Sequence, residues 1–280
     1  MDEQIVRARD TLIDPALTAE KRVHEARKRF KETRALIRLV RDPLGEQFAH
    51  ENAWFRDAGR DLAAARDADA MVEALEKLEL PKATANRARK VLDAQRKEHP
   101  PLEPIIANVV DQLVVAQGRL GLWPAFEDSF DTIAGGLVRT YRGGRRFLGV
   151  PRGSSGDAGR GTPRNRGTPR NSSEDLHEWR KRVKEHWYHA QLLRHVWPEM
   201  MKAYAEVLSD LSHALGDHHD LHVLRGLLGD MPAVVKAIDA RQAELEAKAV
   251  AIGARVYAEK PDAWLARMRK YWKAWLRTSR

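Results

Sequence analysis

One charged sentence is written twice in this chain. His24-Glu25-Ala26-Arg27-Lys28-Arg29-Phe30-Lys31-Glu32 recurs 153 residues later as His177-Glu178-Trp179-Arg180-Lys181-Arg182-Val183-Lys184-Glu185, with seven of nine positions identical. The retained residues are cations and carboxylates rather than core formers, so the repeat preserves a surface and not merely a packing pattern. The register extends further. Asp67 lies 43 residues after His24, and Asp220 lies 43 residues after His177. The chain therefore reads as a duplicated unit in which each copy runs helix, connection, helix.

The fold class follows from periodicity. Runs rich in Ala, Leu, Glu, Lys and Arg, with apolar residues at helical spacing, extend from residue 18 to 148 and from 173 to 277, and no segment alternates with period two. The prediction is an all-α protein. Breaks are expected at Asp42-Pro43-Leu44-Gly45, Leu80-Pro81, His99-Pro100-Pro101, Trp123-Pro124, Trp197-Pro198, Gly229-Asp230-Met231-Pro232 and Lys260-Pro261, which divide each half into about four helices. Between the halves, Gly-Thr-Pro-Arg-Asn occurs at 161–165 and again at 167–171, in a stretch with almost nothing to bury. The expected organisation is a first helical bundle over 1–148, a flexible linker over 149–172 and a second bundle over 173–280.

Composition narrows the chemistry. There is no cysteine, which removes disulfides, thiolate nucleophiles and Cys-based metal centres and fits a reducing compartment. The opening Met1-Asp2-Glu3-Gln4 is acidic and no apolar run approaches the roughly 18 residues of a membrane span, so a soluble cytoplasmic protein is expected, with no membrane partner. The net charge of +9 points toward acidic partners, yet residues 150–172 alone hold five Arg against one Asp. Total charge is therefore a weak argument, and clustering has to carry it.

The first repeat clusters its charge. With Thr18 as N-cap and Glu20 in the opening turn, His24, Arg27, Lys31, Arg34, Arg38 and Arg41 fall on one helical face. Val23, Ala26, Phe30, Thr33, Ile37 and Val40 run beside them one residue earlier, so burying that seam aims the cations. From His24 to Arg41 the helix would be about 26 Å long. Arg takes phosphate oxygens in pairs and Lys adds point charge, and several such contacts in a row suit a chain of phosphates better than one small anion. Lys28 belongs to the same basic cluster. The second copy keeps His177, Arg180, Lys181 and Lys184 but places Trp187 and Gln191 where the first has Arg34 and Arg38, so its stripe is shorter. Arg139, Arg142 and Arg146 share a face if the segment around Tyr141 is helical, an inference that Gly143-Gly144 weakens.

Other patterns carry less. His218 and His222 share a helical face at a spacing zinc sites use, but a structural role is preferred and no metal ligand is assigned. By the repeat offset His219 answers to Arg66, which suggests a phosphate contact, and Asp220 answers to Asp67, two carboxylates suited to orienting the motif cations or to a structural role. If His24 and His177 contact phosphate, binding should strengthen as pH falls through the histidine range. Glu244-Leu245-Glu246-Ala247-Lys248 spells a signature of metal-dependent triphosphate chemistry, but strong helix formers surround it and its side chains would diverge on a helix. Trp264, Met268, Tyr271, Trp272 and Trp275 recur at helical spacing and are expected to cover the last core rather than stack on bases. No phosphate-binding glycine loop or nucleophile elbow is present, so neither catalysis nor a cofactor is indicated. The alternatives carried forward are a metal-dependent phosphohydrolase and a nucleic-acid-binding helical protein.

These motifs resemble the CHAD domain family, the conserved histidine α-helical domain. The resemblance is carried by Val23, His24, Arg27, Lys31 and Arg34, with Glu32 departing from the usual arginine, and by Leu176, His177, Arg180, Lys181, Lys184 and Tyr188, with Trp187 replacing an arginine. The run from Leu211 to Asp220 and Gly136-Leu137-Val138-Arg139-Thr140-Tyr141-Arg142 also resemble family segments. The resemblance implies two four-helix bundles related by a pseudo-twofold axis, basic faces around a central groove or pore, inorganic polyphosphate as partner, and association with polyphosphate granules.

Overall fold

The computed structural model describes residues 1–62, 67–95, 101–148 and 173–278. Among them there are twelve α-helices and no strand, so the all-α expectation holds. In chain order they are α1 (Asp2–Ile13), α2 (Ala19–Leu39), the short α3 (Arg41–Leu44), α4 (Gln47–Asp61), α5 (Asp67–Glu76), α6 (Lys82–Ala94), α7 (Leu102–Arg119) and α8 (Phe130–Arg145). After residue 172 come α9 (Ser173–Leu192), α10 (Pro198–Leu227), α11 (Pro232–Val256) and α12 (Pro261–Thr278). The segment expected as a linker, 149–172, lies outside the described residues, as do Arg66 and the side chain of Asp67. No helix among the described residues is long and apolar enough to cross a membrane.

Proline punctuation sets several boundaries. Pro198, Pro232 and Pro261 each stand at the first position of a helix, where the missing N–H would lack an intrahelical partner anyway. The first half is cut more finely than the four helices expected. Pro43 is incompatible with the carbonyl of Leu39 in a continuing helix, so α2 stops at Leu39 and the chain turns through Val40 at φ −97°, ψ 25°. Gly45, at φ 59°, ends α3. In the second copy α9 passes through a 3-10 turn, Leu193–His195, into the single long α10. Helix α1 precedes the runs singled out by periodicity, although Ile5, Ala8 and Leu12 form a fully buried seam on it.

The chain folds as two compact units, the first comprising Met1–Leu137 with Leu224–Val235 and the second Val138–Val223 with Lys236–Arg280. In the first, α1, α2, α4 and α7 surround one core, in which Phe30 of α2 meets Phe55 of α4 edge-on at 5.9 Å and Leu113 of α7 is fully buried. Arg119 of α7 grips the buried Glu51 of α4 with two hydrogen bonds, 2.9 and 3.1 Å, and lies over Trp54. Gly136 marks where α8 crosses the end of α2. A Cβ there would sit 2.1 Å from the Leu39 carbonyl oxygen, so only glycine permits the approach.

The second unit is built on an aromatic centre. Tyr141 of α8 stacks on Trp264 of α12 at 4.5 Å and meets Tyr257 and His186 edge-on. The His186 ring is bonded on one side to the Tyr257 hydroxyl (3.2 Å) and on the other to the Tyr204 hydroxyl (3.3 Å). Full burial pushes that imidazole down to about 3, with His189 adding to the shift. Burial also raises the Tyr141 phenol to about 12, and its hydroxyl donates to the Glu259 carbonyl at 3.1 Å. Trp264 and Met268 are core residues, as expected, whereas Tyr271, Trp272 and Trp275 are only half-covered. Residues 244–248 lie within α11, so the alternating carboxylates are helical.

Candidate polyanion-binding site

The first basic helix is placed by its cap and its seam. The Thr18 hydroxyl accepts a hydrogen bond from the Lys21 amide at 3.4 Å, and Val23, Ala26, Phe30, Thr33 and Ile37 are buried. That burial leaves His24, Lys28 and Lys31 exposed, His24 lying 3.8 Å from Glu25, with Arg27, Arg34 and Arg38 half-buried beside them. The stripe ends at Arg38. Arg41, expected to continue it, belongs to α3 and lies over the Phe48 ring at 4.8 Å, which shortens the continuous face to about 21 Å. Arg34 reaches α4, donating to the Asn52 side-chain oxygen at 3.4 Å. The Asp57 carboxyl on α4 is held below the usual carboxylate range, chiefly by hydrogen bonds from Arg56, with Arg60 and Arg34 adding to the field.

The acids of the repeat have a defined place. Lys28 lies 4.0 Å from Glu25, and Arg29 bonds Glu32 at 3.0 Å. In the second copy Lys181 bonds Glu178 at 2.6 Å, and Arg182 bonds Glu185 at 3.3 Å. The same two ion pairs, at the same two offsets, recur on both helices. They put each copy's carboxylates on the flank of the helix, while His24, Arg27 and Lys31 on α2, and His177, Arg180 and Lys184 on α9, share the adjoining face.

The second stripe has a different environment. Leu176, Trp179 and Val183 are its buried seam, Lys181 is exposed, and His177, Arg180 and Lys184 are half-buried. The Lys184 ammonium sits 4.1 Å above the Trp187 ring and 5.5 Å from that of the buried Tyr188, so the tryptophan that stands where the first copy has Arg34 holds its neighbour by a cation–π contact. The His177 ring lies 4.2 Å from that of His219 on α10, and the Arg180 guanidinium lies along Gly216 one turn earlier. Burial first, then Lys181 and Arg180, hold the His177 imidazole below the ordinary histidine range. Sequence reasoning gave His219 a phosphate contact through its offset from Arg66, but not this ring contact with His177. Asp220 follows it on α10, half-buried.

Helix α8 runs through Gly143-Gly144, where the Tyr257 ring would meet any Cβ on Gly144 at 2.3 Å. Arg139 and Arg142 are exposed on it, with Arg142 lying 3.6 Å from Asp262, while Arg145 turns inward to donate to the Tyr257 carbonyl at 3.1 Å. Arg146 falls in the following 3-10 turn, Arg146–Leu148, against Phe147. Against α9, the helix makes contact through Thr140 with Glu185 and through Gly143 with Arg182, which is the flank of the paired charges. His218 is buried and His222 exposed, and no three His, Asp or Glu side chains among the described residues gather as a metal would need.

Comparison with known proteins gives one result. A family model described as CHAD domain matches residues 4–229, a span that includes both copies of the repeat and the His219-Asp220 pair. No curated protein and no solved structure matches the chain.

Proposed function

Because the chain belongs to the CHAD domain family, we propose that it is a non-enzymatic binding protein for inorganic polyphosphate, associated with polyphosphate granules. The observation that carries the reading is the charge plan common to α2 and α9. In each copy the two glutamates pair with the same two cations, and histidine, arginine and lysine recur at the same helical offsets on the adjoining face. A solubilising surface has no need to repeat the same two ion pairs and the same His, Arg and Lys offsets on both helices. A ligand that is itself a repeat of one anionic group does.

In this proposal one polymer engages both stripes, with Arg139, Arg142 and Arg146 adding to the second. Affinity then rises with chain length, because the second stripe is engaged without a new encounter, and falls with salt, because bound phosphates release counterions. The test is a titration of chains from triphosphate to long polymer, with Arg27→Glu/Arg34→Glu compared against Arg164→Glu/Arg170→Glu. The helix variant should lose at least tenfold and the 149–172 variant little. Equal affinity for triphosphate and long polymer, or equal losses in the two variants, would overturn the reading. Phosphate release on adding divalent metal would favour the phosphohydrolase alternative, and stronger binding to RNA or DNA of equal charge would favour a nucleic-acid binder.

A further inference from the structure

We propose that His219, together with His177 and Arg180, forms an anion subsite of the second unit that takes up a phosphate oxyanion only along with a proton. The inference rests on the polyphosphate reading and specifies what one part of that site demands of its ligand.

The geometry is a cluster of three groups that would repel one another if all were charged. His177 and Arg180 stand one turn apart on α9, and α10 brings His219 to within 4.2 Å of the His177 ring, measured between ring centres, while Arg180 lies along Gly216. His222 is one turn further on α10 and His218 is buried beside it, its carbonyl accepting a hydrogen bond from the uncharged Gln242 of α11. The His177 Nδ1 atom is buried without a hydrogen-bond partner among the described residues. Burial first, then His177, Arg180, His222 and His218, push His219 down to about 4. Lys181 and Glu178, bonded to each other at 2.6 Å, are the other charged groups of α9 that act on His177, and Asp217 and Asp220 flank His218 and His219 in the sequence of α10.

Around neutrality the two imidazoles are therefore uncharged beside a permanent guanidinium. A phosphate oxyanion reaching Arg180 supplies the missing counter-charge and raises both rings toward protonation, so that a donor and a positive charge form when the ligand arrives. At the corresponding position the first copy has Arg66, which needs no proton. The subsite makes the second half of the protein the acid-sensitive half.

The experiment is calorimetric titration of the full chain with long polyphosphate at pH 7 in two buffers of different protonation enthalpy. The wild type should take up about one proton at this cluster, and its affinity should fall by up to about tenfold per pH unit as pH rises through the bound-state value. His219→Gln should lose most of that uptake, and His219→Arg should bind without it and keep its affinity at pH 8. Because His219 is half-exposed, melting curves will establish that both variants fold. Binding that is independent of buffer, or uptake that persists undiminished in His219→Gln, overturns the subsite and leaves the polyphosphate reading standing. Absence of binding at every pH overturns that reading itself.

Discussion

Lys184 is the stripe residue whose setting differs most between the copies. Its counterpart Lys31 is exposed on α2, while Lys184 is half-buried with its ammonium on the Trp187 ring. A cation–π contact of this kind is worth about 0.5–1 kcal/mol at a partly exposed site, which a phosphate must match before it draws the ammonium away. Trp187→Arg removes that competitor and adds a planar donor at the position of Arg34. Affinity for long polyphosphate should rise about fivefold, equivalent to about 1 kcal/mol. Titration at fixed salt measures this, and unchanged or weaker binding would mean that the ring helps hold Lys184 for the ligand.

At the scale of elements, α2 is positioned from both ends. Thr18→Ala removes the cap and should cost about 1 kcal/mol of stability, visible as a lower melting temperature with little change in affinity per folded molecule. The other end is more demanding. Replacing Gly136 with Ala improves helix propensity by about 1 kcal/mol in an exposed helix, yet the added Cβ overlaps the Leu39 carbonyl. Separating α8 from α2 should outweigh that gain, for a net loss of about 2 kcal/mol. A higher melting temperature for Gly136→Ala would contradict the backbone contact. The cap, the apolar seam and the proline boundaries of the later helices were legible in the sequence, because each is a property of neighbouring residues. The end of α2 at Leu39 was not, although Pro43 lies four residues on and supplies the reason.

For the whole molecule, the buried and half-buried histidines set an acid limit. His186 is pushed down to about 3 and His219 to about 4, and His177 and His218 are also lowered, in each case chiefly by burial. Below about pH 6.5 the unfolded chain binds these protons and the folded chain does not, so stability rises with pH across that window and is lost as pH falls from 6.5 toward 3. Above pH 7 these groups contribute no slope. Thermal melts should therefore be flat between pH 7 and 8 and decline from pH 6.5 to 5, where most carboxylates remain ionised. A melting temperature that holds steady to pH 5 would mean that the rings are more solvated than the structure has them. Long polyphosphate should narrow the acid decline, since the proposed subsite holds a proton in the complex.

The amino-acid sequence on its own determined that this chain is helical and that it carries a repeated basic helix whose cations from His24 to Arg38 share one face, because helical periodicity and charge spacing are local properties written along one stretch of residues. The surroundings of those residues depended on segments remote in sequence. Packing alone put His219 against His177, Lys184 on Trp187 and the Leu39 carbonyl under Gly136, and it made a core helix of α1. A side chain's charge state and availability follow from burial and from its neighbours in space, and these exist only once the helices have come together.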